Sequence, residues 1–422
     1  MTHRNVLTRG LAAGALGLLV AGAAPAQTLT GSSFHYQGGK PSFVASGKVF
    51  AVWNANDPKS MLSPGLKVTF FGQADGCKDD AFNGPVVAKG NPRLAHAQEL
   101  TGLALDPGDK LVWSPSGDSD QCGADAHGKV GDSFVHLNTD PARGGIGLFS
   151  YTGRAAGGRA PFFQQYDESG RKNTGANAFI NGTFVVFRFD WDQTQQIAPW
   201  SGGTGPDPTI EFRTVQSVAR ADVPERLPPG GGNRPAQAKQ QMVLALINRH
   251  CFAEGGGKDK LCQLKYLFNV AVFRTGVRSL QAEKWFQDAG VFLDPAQGGI
   301  PIVHGPLVAA GAAVYDKRSR APLYTSVGSP SRNEPFTDQR FAVRVSFSQL
   351  KNALRTIASV RDKQPPERIG RESMVAHFGE RWDDPKEWLV LSVNVSQEVS
   401  NPYRLERAFI GGNVREIYAG PQ

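Results

Sequence analysis

The chain has 422 residues, a formal net charge of +8, 40% hydrophobic residues, 49 glycines and 28 prolines. This hydrophobic content excludes a disordered chain, and the scattered basic residues form no Lys/Arg run of the kind that binds nucleic acid. The high glycine and proline contents favour many strands joined by turns over a helical bundle.

Residues 1–26 have the layout of a secretory signal peptide. Arg4 and Arg9 precede the apolar run LAAGALGLLVAGAA, and small residues at 24–26 supply a cleavage site before Gln27. The apolar run is too short to cross a bilayer as a helix, and no later stretch reaches the required length. The sequence therefore predicts a secreted or periplasmic protein that has no integral membrane segment after signal cleavage.

From Gln27 to about Val218, short apolar or alternating runs recur between clusters of Gly, Pro, Asn and Asp. Such punctuation predicts strands joined by turns. The strands predicted in this half cover residues 48–53, 66–71, 111–113, 133–138, 146–151, 179–192 and 209–215.

The strand predicted over 179–192 has two different faces, because side chains alternate along a strand. One face is apolar and requires a hydrophobic core; it consists of Val185, Phe187, Phe189 and Trp191. The other face displays a cation and two carboxylates, Arg188, Asp190 and Asp192.

Residues 221–235, ADVPERLPPGGGNRP, predict a loop or linker. The next segment, 236–250, contains helix formers with apolar residues at Met242, Leu244, Leu246 and Ile247, and predicts a helix. A second helix is predicted over 348–360, where Leu350, Leu354 and Ile357 recur at helical spacing. The remaining predicted strands cover 264–274, 341–347, 388–397 and 414–418.

This organisation predicts an all-β, mainly antiparallel fold, namely a large, jelly-roll-like β-sandwich with a few short helices in its loops. Strands on both sides of 221–235 share one character, and no internal repeat is visible. We therefore expect one sandwich over 27–422, with 221–235 as a surface excursion. The alternative is two β domains, over 27–220 and 236–422.

Four cysteines remain after signal cleavage, and an even number in an oxidising compartment predicts two disulfides. Sequence proximity favours Cys77–Cys122 and Cys251–Cys262 over the other connectivities.

Carboxylates flank the first cysteine pair. A bond between Cys77 and Cys122 would bring several of them together, and oxygen ligands of this kind suit Ca²⁺. No cofactor is certain from the sequence, and calcium is the candidate. Its predicted ligands are Asp75, Asp79, Asp118 and Asp120.

Other predicted strands repeat the two-faced pattern. In 388–397, Leu389, Leu391, Val393 and Val395 form one predicted face, while Trp388, Ser392, Asn394 and Ser396 form the other. Glu211 shares a face with Arg213, His136 shares a face with Asn138, and Arg344 projects away from an apolar face. If these polar faces belong to one sheet, they line a cleft whose aromatic and planar polar groups suit a sugar. The alternative is an ordinary antiparallel sheet with its outer face in water.

Two chemistries fit such a cleft. Glycoside hydrolysis needs two carboxyl groups roughly 5 to 9 Å apart, and residues i and i+2 of a strand lie about 6.6 Å apart. Asp190 and Asp192 meet this spacing, with Glu211 as a third carboxylate.

Elimination from a uronate needs a cation for the sugar carboxylate and groups that transfer protons. His136 and Tyr151 are the candidates for proton transfer. The candidates for substrate binding are Arg188, Arg213, Arg344, Trp388 and Asn394.

The leading hypothesis is an exported polysaccharide-active enzyme, a glycan lyase or a glycoside hydrolase, that acts in a cleft on one sheet face. The mid-strand arginines and the basic mature chain place a lyase for an anionic polysaccharide slightly ahead. The alternative is a non-catalytic carbohydrate-binding or cell-envelope surface protein that uses the same face.

Overall fold

A computed structural model describes part of the chain. The described residues are 33–37, 40–45, 48–52, 66–71, 80–81, 92–104, 109–113, 133–138, 140, 144–152, 179–189, 197–202, 205–225, 236–253, 260–275, 289–294, 300–305, 311, 313–401 and 408–422. They form two packed, mostly antiparallel sheets with a few short helices, which confirms the predicted all-β sandwich.

The strands are short in the first part of the chain and long in the centre of each sheet. In chain order they are β1 (Ser33–Gln37), β2 (Lys40–Ala45), β3 (Lys48–Val52), β4 (Leu66–Phe71), β5 (Asp80–Ala81), β6 (Lys110–Trp113), β7 (Phe134–Asn138), β8 (Gly145–Thr152), β9 (Phe179–Arg188), β10 (Thr209–Asp222), β11 (Gln237–Asn248), β12 (Gln263–Arg274), β13 (Gly290–Asp294), β14 (Ile300–Gly305), β15 (Ala313–Tyr315), β16 (Pro322–Ser326), β17 (Phe336–Ser346), β18 (Trp388–Asn401) and β19 (Ala408–Pro421).

The helices are α1 (Pro92–Thr101), α2 (Arg249–Ala253), α3 (Phe347–Asp362) and α4 (Arg371–Phe378), with 3-10 turns at Pro199–Gly202, Pro366–Arg368 and Pro385–Glu387. Among the helices in the described ranges, none has the length and apolar character needed to cross a membrane.

Sheet A contains eleven strands and is antiparallel. From one edge its order is β15-β16-β17-β10-β19-β1-β2-β3, and β8, β7 and β6 extend it from the other part of β19. Sheet B has eight strands in the order β13-β14-β12-β11-β18-β9-β4-β5, and its β12–β14 pair is parallel. Strands from both sides of residues 221–235 pair directly in each sheet, as β10 does with β17 and β9 with β18.

The hydrophobic core lies between the sheets. The rings of Phe212 in sheet A and Phe268 in sheet B are 6.2 Å apart, and those of Phe34 and Phe187 are 5.2 Å apart. Burial of such rings is the main source of the folding free energy.

The apolar face predicted for residues 179–192 is confirmed as far as the strand is described. Val185, Phe187 and Phe189 are all buried in the core. Trp191 lies outside the described residues.

The helix predicted over 236–250 is wrong, because β11 occupies most of this segment. Every residue from Met242 to Asn248 is buried, and β11 lies between β12 and β18 in sheet B. A central strand covered on both faces reads as a continuous apolar run, which periodicity alone does not distinguish from a buried helix.

The second predicted helix is confirmed as α3. Its first turn is fixed by a capping box, in which the Ser346 hydroxyl accepts from the backbone N–H of Gln349 while the Gln349 side chain accepts from the backbone N–H of Ser346. Leu350, Leu354 and Ile357 face the core as the spacing predicts.

The predicted faces of the strand at 388–397 are wrong for Trp388, because the strand contains a bulge. The register of β18 against β11 shifts at Leu391, so Trp388 lies on the core side together with Val393. The indole is fully buried, and its Nε1 donates to the carbonyl of Trp382 at 2.9 Å. Strict alternation had instead placed Trp388 beside Asn394.

Helix α1 covers one part of the outer face of sheet A, the face that points away from sheet B. A Cβ atom on Gly411 would lie 2.1 Å from the carbonyl oxygen of Leu100, so only glycine allows this close approach. Asn413 Nδ2 donates to the carbonyl of Thr101 at 2.8 Å and fixes the helix to β19. The polar residues Glu416 and Tyr418 lie further along β19.

One of the two predicted disulfides is present in the described ranges. Cys251 and Cys262 are bonded and join α2 to the start of β12. Cys77 and Cys122 lie outside the described residues, so their pairing stays a prediction.

Candidate functional site

The central part of the outer face of sheet A carries a cluster of charged and aromatic side chains. Strands β1, β19, β10 and β17 lie side by side there and each contributes at least one member. We call this cluster the Arg–Glu face; it consists of His35, Glu211, Arg213, Arg340, Arg344, Glu416 and Tyr418.

Strand alternation places these side chains on the outer face. In β10, Ile210 and Phe212 are buried in the core, so Glu211 and Arg213 project from the opposite side. The same alternation acts in β19, where the buried Ile417 separates Glu416 from Tyr418.

The strand register sets the neighbours. Tyr418 lies opposite His35 on one side and opposite Arg213 on the other, and Glu211 lies opposite Arg344. Residues directly opposite in an antiparallel pair have Cβ atoms about 5 Å apart. His35, Tyr418 and Arg213 therefore form one row across three adjacent strands.

Glu211 is held by three arginines. Its Oε1 accepts from Arg213 at 3.2 Å and from Arg340 at 3.3 Å, and its Oε2 accepts from Nε and Nη2 of Arg344 at 3.2 and 3.1 Å. Burial raises the pKa of Glu211, but the hydrogen bonds and charges of Arg213 and Arg344 outweigh it and lower the pKa overall. The carboxyl group is therefore ionised at neutral pH.

Arg213 joins the two glutamates of the cluster. Its Nε donates to Glu416 at 2.8 Å, and its guanidinium carbon lies 4.3 Å from the centre of the Tyr418 ring. Burial lowers the pKa of Arg213, but the bonds to Glu416 and Glu211 outweigh it and raise the pKa. The cation is fixed in position as well as in charge.

His35 and Tyr418 provide one basic and one acidic group next to this cation. Their ring centres are 6.1 Å apart. Burial lowers the pKa of His35, opposed by Glu416 and assisted by Arg213, so a neutral imidazole is favoured at neutral pH. Burial also raises the pKa of Tyr418, opposed by Arg213, so its hydroxyl keeps its proton and donates to the carbonyl of Pro421 at 3.0 Å.

The structure brings together three of the residues predicted for the site, Glu211, Arg213 and Arg344. It places His136 and Tyr151 elsewhere, on β7 and β8, which join sheet A at the other part of β19.

His136 and Tyr151 are both buried. His136 Nε2 lies 2.7 Å from a carboxylate oxygen of the equally buried Asp109, and Tyr151 packs in a small apolar cluster with Phe134 and Phe149. They are not part of the Arg–Glu face.

The other predicted binding residues belong to sheet B. Trp388 is in its core, Asn394 is 8% exposed on β18, and Arg188 is the last residue of β9. Asp190 and Asp192 lie outside the described residues, so their role as a hydrolytic pair stays a prediction.

The predicted calcium site cannot be located in the structure. Its residues Asp75, Asp79, Asp118 and Asp120 lie outside the described ranges. Within those ranges, no group of three or more His, Cys, Asp or Glu side chains is placed to hold a metal ion. The calcium site stays a prediction.

Four members of the Arg–Glu face were missed in the sequence, namely His35, Arg340, Glu416 and Tyr418. A signal was present, since His35 stands between the buried Phe34 and Tyr36, and Glu416 and Tyr418 alternate with buried neighbours. Only the pairing of β1, β10, β17 and β19 shows that these positions share one surface.

No family model and no curated protein matches the chain. Among solved structures, it is similar to the xyloglucanase domain of NopAA, a type three effector from Sinorhizobium fredii, in complex with cellobiose. The sequences are 10% identical, the match covers 70% of this chain and 95% of that chain, and the TM-score is 0.21. A likeness at this TM-score carries no argument about activity.

Proposed function

We propose that the protein is an exported polysaccharide-active enzyme that cleaves an acidic glycan by elimination on the Arg–Glu face. The observation that carries the proposal is the row of His35, Tyr418 and Arg213. It combines a neutral imidazole, a protonated phenol and a fixed guanidinium on one surface.

The chemistry needs these three groups. A guanidinium pairs with the uronate carboxylate and stabilises the negative charge that develops when the neighbouring C–H proton leaves. The imidazole of His35 takes that proton, and the phenol of Tyr418 donates a proton to the departing glycosidic oxygen. The C–H and C–O bonds break and one C=C bond forms, so no water enters the product.

Hydrolysis has less support on this surface. A glycosidase needs one carboxyl group that stays protonated to act as the general acid. Glu211 has the opposite character, because the arginines lower its pKa. Asp190 and Asp192 remain the candidates for a hydrolase.

Binding without turnover is the second candidate function. The hydroxyl of Tyr418 already donates to the carbonyl of Pro421, and the arginines are already paired with Glu211 and Glu416. Such a pre-ordered surface can recognise an anionic glycan without transferring protons.

Export is part of the proposal. Disulfides form and persist in oxidising compartments, so the Cys251–Cys262 bond fits the signal-peptide layout of residues 1–26.

The test is incubation with neutral and uronate polysaccharides while the ultraviolet absorbance of a new unsaturated uronate is recorded. We expect product from a uronate polymer, and a fall in kcat of at least about a hundredfold for His35→Ala and Tyr418→Phe. Arg371→Gln is the control, because its side chain is 75% exposed on α4. New reducing ends without this absorbance would instead show a hydrolase, and binding without product a lectin-like protein.

A further inference from the structure

The three arginines of the Arg–Glu face differ in how many hydrogen bonds their guanidinium groups already make. Arg213 is bound on two sides, since its Nε donates to Glu416 and its Nη1 to Glu211. Arg344 donates through both Nε and Nη2 to Glu211. Arg340 donates only through Nη2, at 3.3 Å, and its side chain is 59% exposed. Within the described residues its Nε and Nη1 have no acceptor, so most of the N–H donors of Arg340 are available to a ligand.

The charges of the Arg–Glu face do not cancel. Three guanidinium groups share two carboxylates, and the imidazole and the phenol are neutral at neutral pH. Asp338, the acidic residue of β17, is engaged elsewhere, because its carboxylate pairs with Arg415 at 3.2 Å and accepts from the Ser217 hydroxyl at 3.1 Å. The surplus positive charge therefore lies where Arg340 and Arg344 share one carboxylate.

The strand register and one small residue bring these two cations together. Arg340 lies opposite Val215 in the pairing of β17 with β10, whereas Arg344 lies opposite Glu211. Arg340 therefore reaches along the strand to bond Glu211, and the residue that it passes on the same face is Ala342, whose small side chain leaves room for it. The two guanidinium groups meet at one carboxylate, with shortest bonds of 3.3 and 3.1 Å, and form a pair on β17.

This arginine pair lies at the end of the row formed by His35, Tyr418 and Arg213. The row crosses β1, β19 and β10, and its next position is Ala342 of β17, directly opposite Arg213. Neighbouring strands are about 4.8 Å apart, so the backbone of β17 lies about 5 Å beyond that of β10 and about 14 Å from that of β1. An extended polymer that lies along the row would meet His35 first and the arginine pair last.

We infer that Arg340, assisted by the charge of Arg344, binds the carboxylate of the sugar next to the cleaved uronate, an inference that rests on the proposed function. The substrate is then a polymer with carboxylates on consecutive sugars, a polyuronate, because a neutral neighbouring sugar has no charge for this pair. Arg340 can turn to a ligand at low cost, since Glu211 keeps its bonds to Arg213 and Arg344 and no buried carboxylate is left unpaired. A planar guanidinium also binds a carboxylate through two parallel N–H bonds, which adds specificity to the charge.

The experiment compares Arg340→Gln with Arg220→Gln, a matched control on β10 whose side chain is 52% exposed and also pairs with a glutamate, Glu99. The probes are polygalacturonate, whose uronates are consecutive, hyaluronan, whose uronates alternate with neutral sugars, and chondroitin sulfate, whose uronates alternate with sulfated sugars. Turnover is recorded by the absorbance of the unsaturated product. Affinity is measured by calorimetry at several salt concentrations in a Tyr418→Phe background, so that the polymer is not consumed.

We expect Arg340→Gln to raise KM and Kd for polygalacturonate about tenfold while kcat changes little, because the lost contact is made equally before and during bond cleavage. The salt dependence of the affinity should also become flatter, since one charge pair is lost. Arg220→Gln should match the wild type with every polymer, and Arg340→Gln should match it with hyaluronan and chondroitin sulfate.

The inference is overturned if Arg340→Gln binds polygalacturonate as tightly as Arg220→Gln does, or if it loses affinity for hyaluronan to the same extent. A loss confined to chondroitin sulfate also overturns it, because that result would assign the pair to a sulfate group. If the wild type forms no unsaturated product from polygalacturonate but Arg340→Gln still weakens binding to it selectively, the proposed function fails while the carboxylate site is supported. Turnover by the wild type without any selective effect of Arg340→Gln would instead overturn the inference alone.

Discussion

Replacing Glu211 by Gln removes the charge on which three arginines converge. The carboxylate is 8% exposed, and its partners Arg213, Arg340 and Arg344 are 26%, 59% and 36% exposed. The change keeps the size of the side chain, so the effect reports on charge rather than on packing.

The expected loss is about 2 kcal/mol of unfolding free energy at neutral pH. A hydrogen bond to a charged group is worth about 1.5 to 3 kcal/mol when buried, and much less when solvent screens it. Arg340 and Arg344 are screened in this way, so most of the loss comes from the less exposed Arg213. Glutamine also removes the carboxylate that Arg340 and Arg344 share, whereas Arg213 keeps its pair with Glu416.

The loss should depend on pH. The pKa of Glu211 is lowered in the folded state from an ordinary value of 4.5. Its ionisation therefore contributes stability that is fully present above that ordinary value and is lost as the pH falls through the folded pKa. The difference between wild type and Glu211→Gln should be full at neutral pH and should shrink in acid.

Urea unfolding of both proteins at neutral and acidic pH measures this difference. Glu334→Gln is the matched control, because that side chain is 70% exposed and its pair with Arg332 should contribute about 0.5 kcal/mol or less. A loss of unfolding free energy for Glu211→Gln that is no larger than that of the control, or that is the same at both pH values, would contradict the predicted effect of the charge.

Three further predictions concern the scaffold. Cys251→Ser/Cys262→Ser should lower the unfolding free energy by about 3 kcal/mol, since the bond closes a short loop in the unfolded chain. Urea unfolding should show this difference between wild type and variant without reductant, and the difference should disappear when reductant breaks the disulfide of the wild type. Gly411→Ala should lower the unfolding free energy by about 1 to 3 kcal/mol, because its methyl group would meet the carbonyl of Leu100. Gly290→Ala should lower it less, because the nearest atom to its methyl group would be 3.7 Å away. We also propose that the two sheets form one domain. Thermal unfolding of the wild type and of Phe212→Ala, followed by circular dichroism and by tryptophan fluorescence, should then show one transition for each protein, with the variant less stable by about 3 to 5 kcal/mol. Two separated transitions would indicate two domains.

Local patterns predicted eleven of the nineteen described strands and the helix α3, because alternation and helical spacing are short-range properties of the chain. No strand was predicted at β1, β2, β5 or β13–β16. They failed for β11, whose burial on both faces is created by β12 and β18 rather than by its own sequence. They failed again at Leu391, where one extra residue moves Trp388 to the core side.

The candidate site could be predicted only in part for a related reason. Glu211 and Arg213 are two residues apart on one strand, so alternation alone places them together. His35 and Tyr418 lie nearly 400 residues apart and become neighbours only through the pairing of β1 with β19. Long-range strand order of this kind is not encoded in local spacing.

The most direct test of the proposed elimination is the mass of the product formed from a uronate polysaccharide. Elimination on the Arg–Glu face predicts, by mass spectrometry, an unsaturated product that is lighter than the hydrolysis product by one water molecule. It also predicts that this product nearly disappears with Tyr418→Phe while binding persists. A product with the full hydrolysis mass, or undiminished formation of the unsaturated product by Tyr418→Phe, would contradict the proposed elimination.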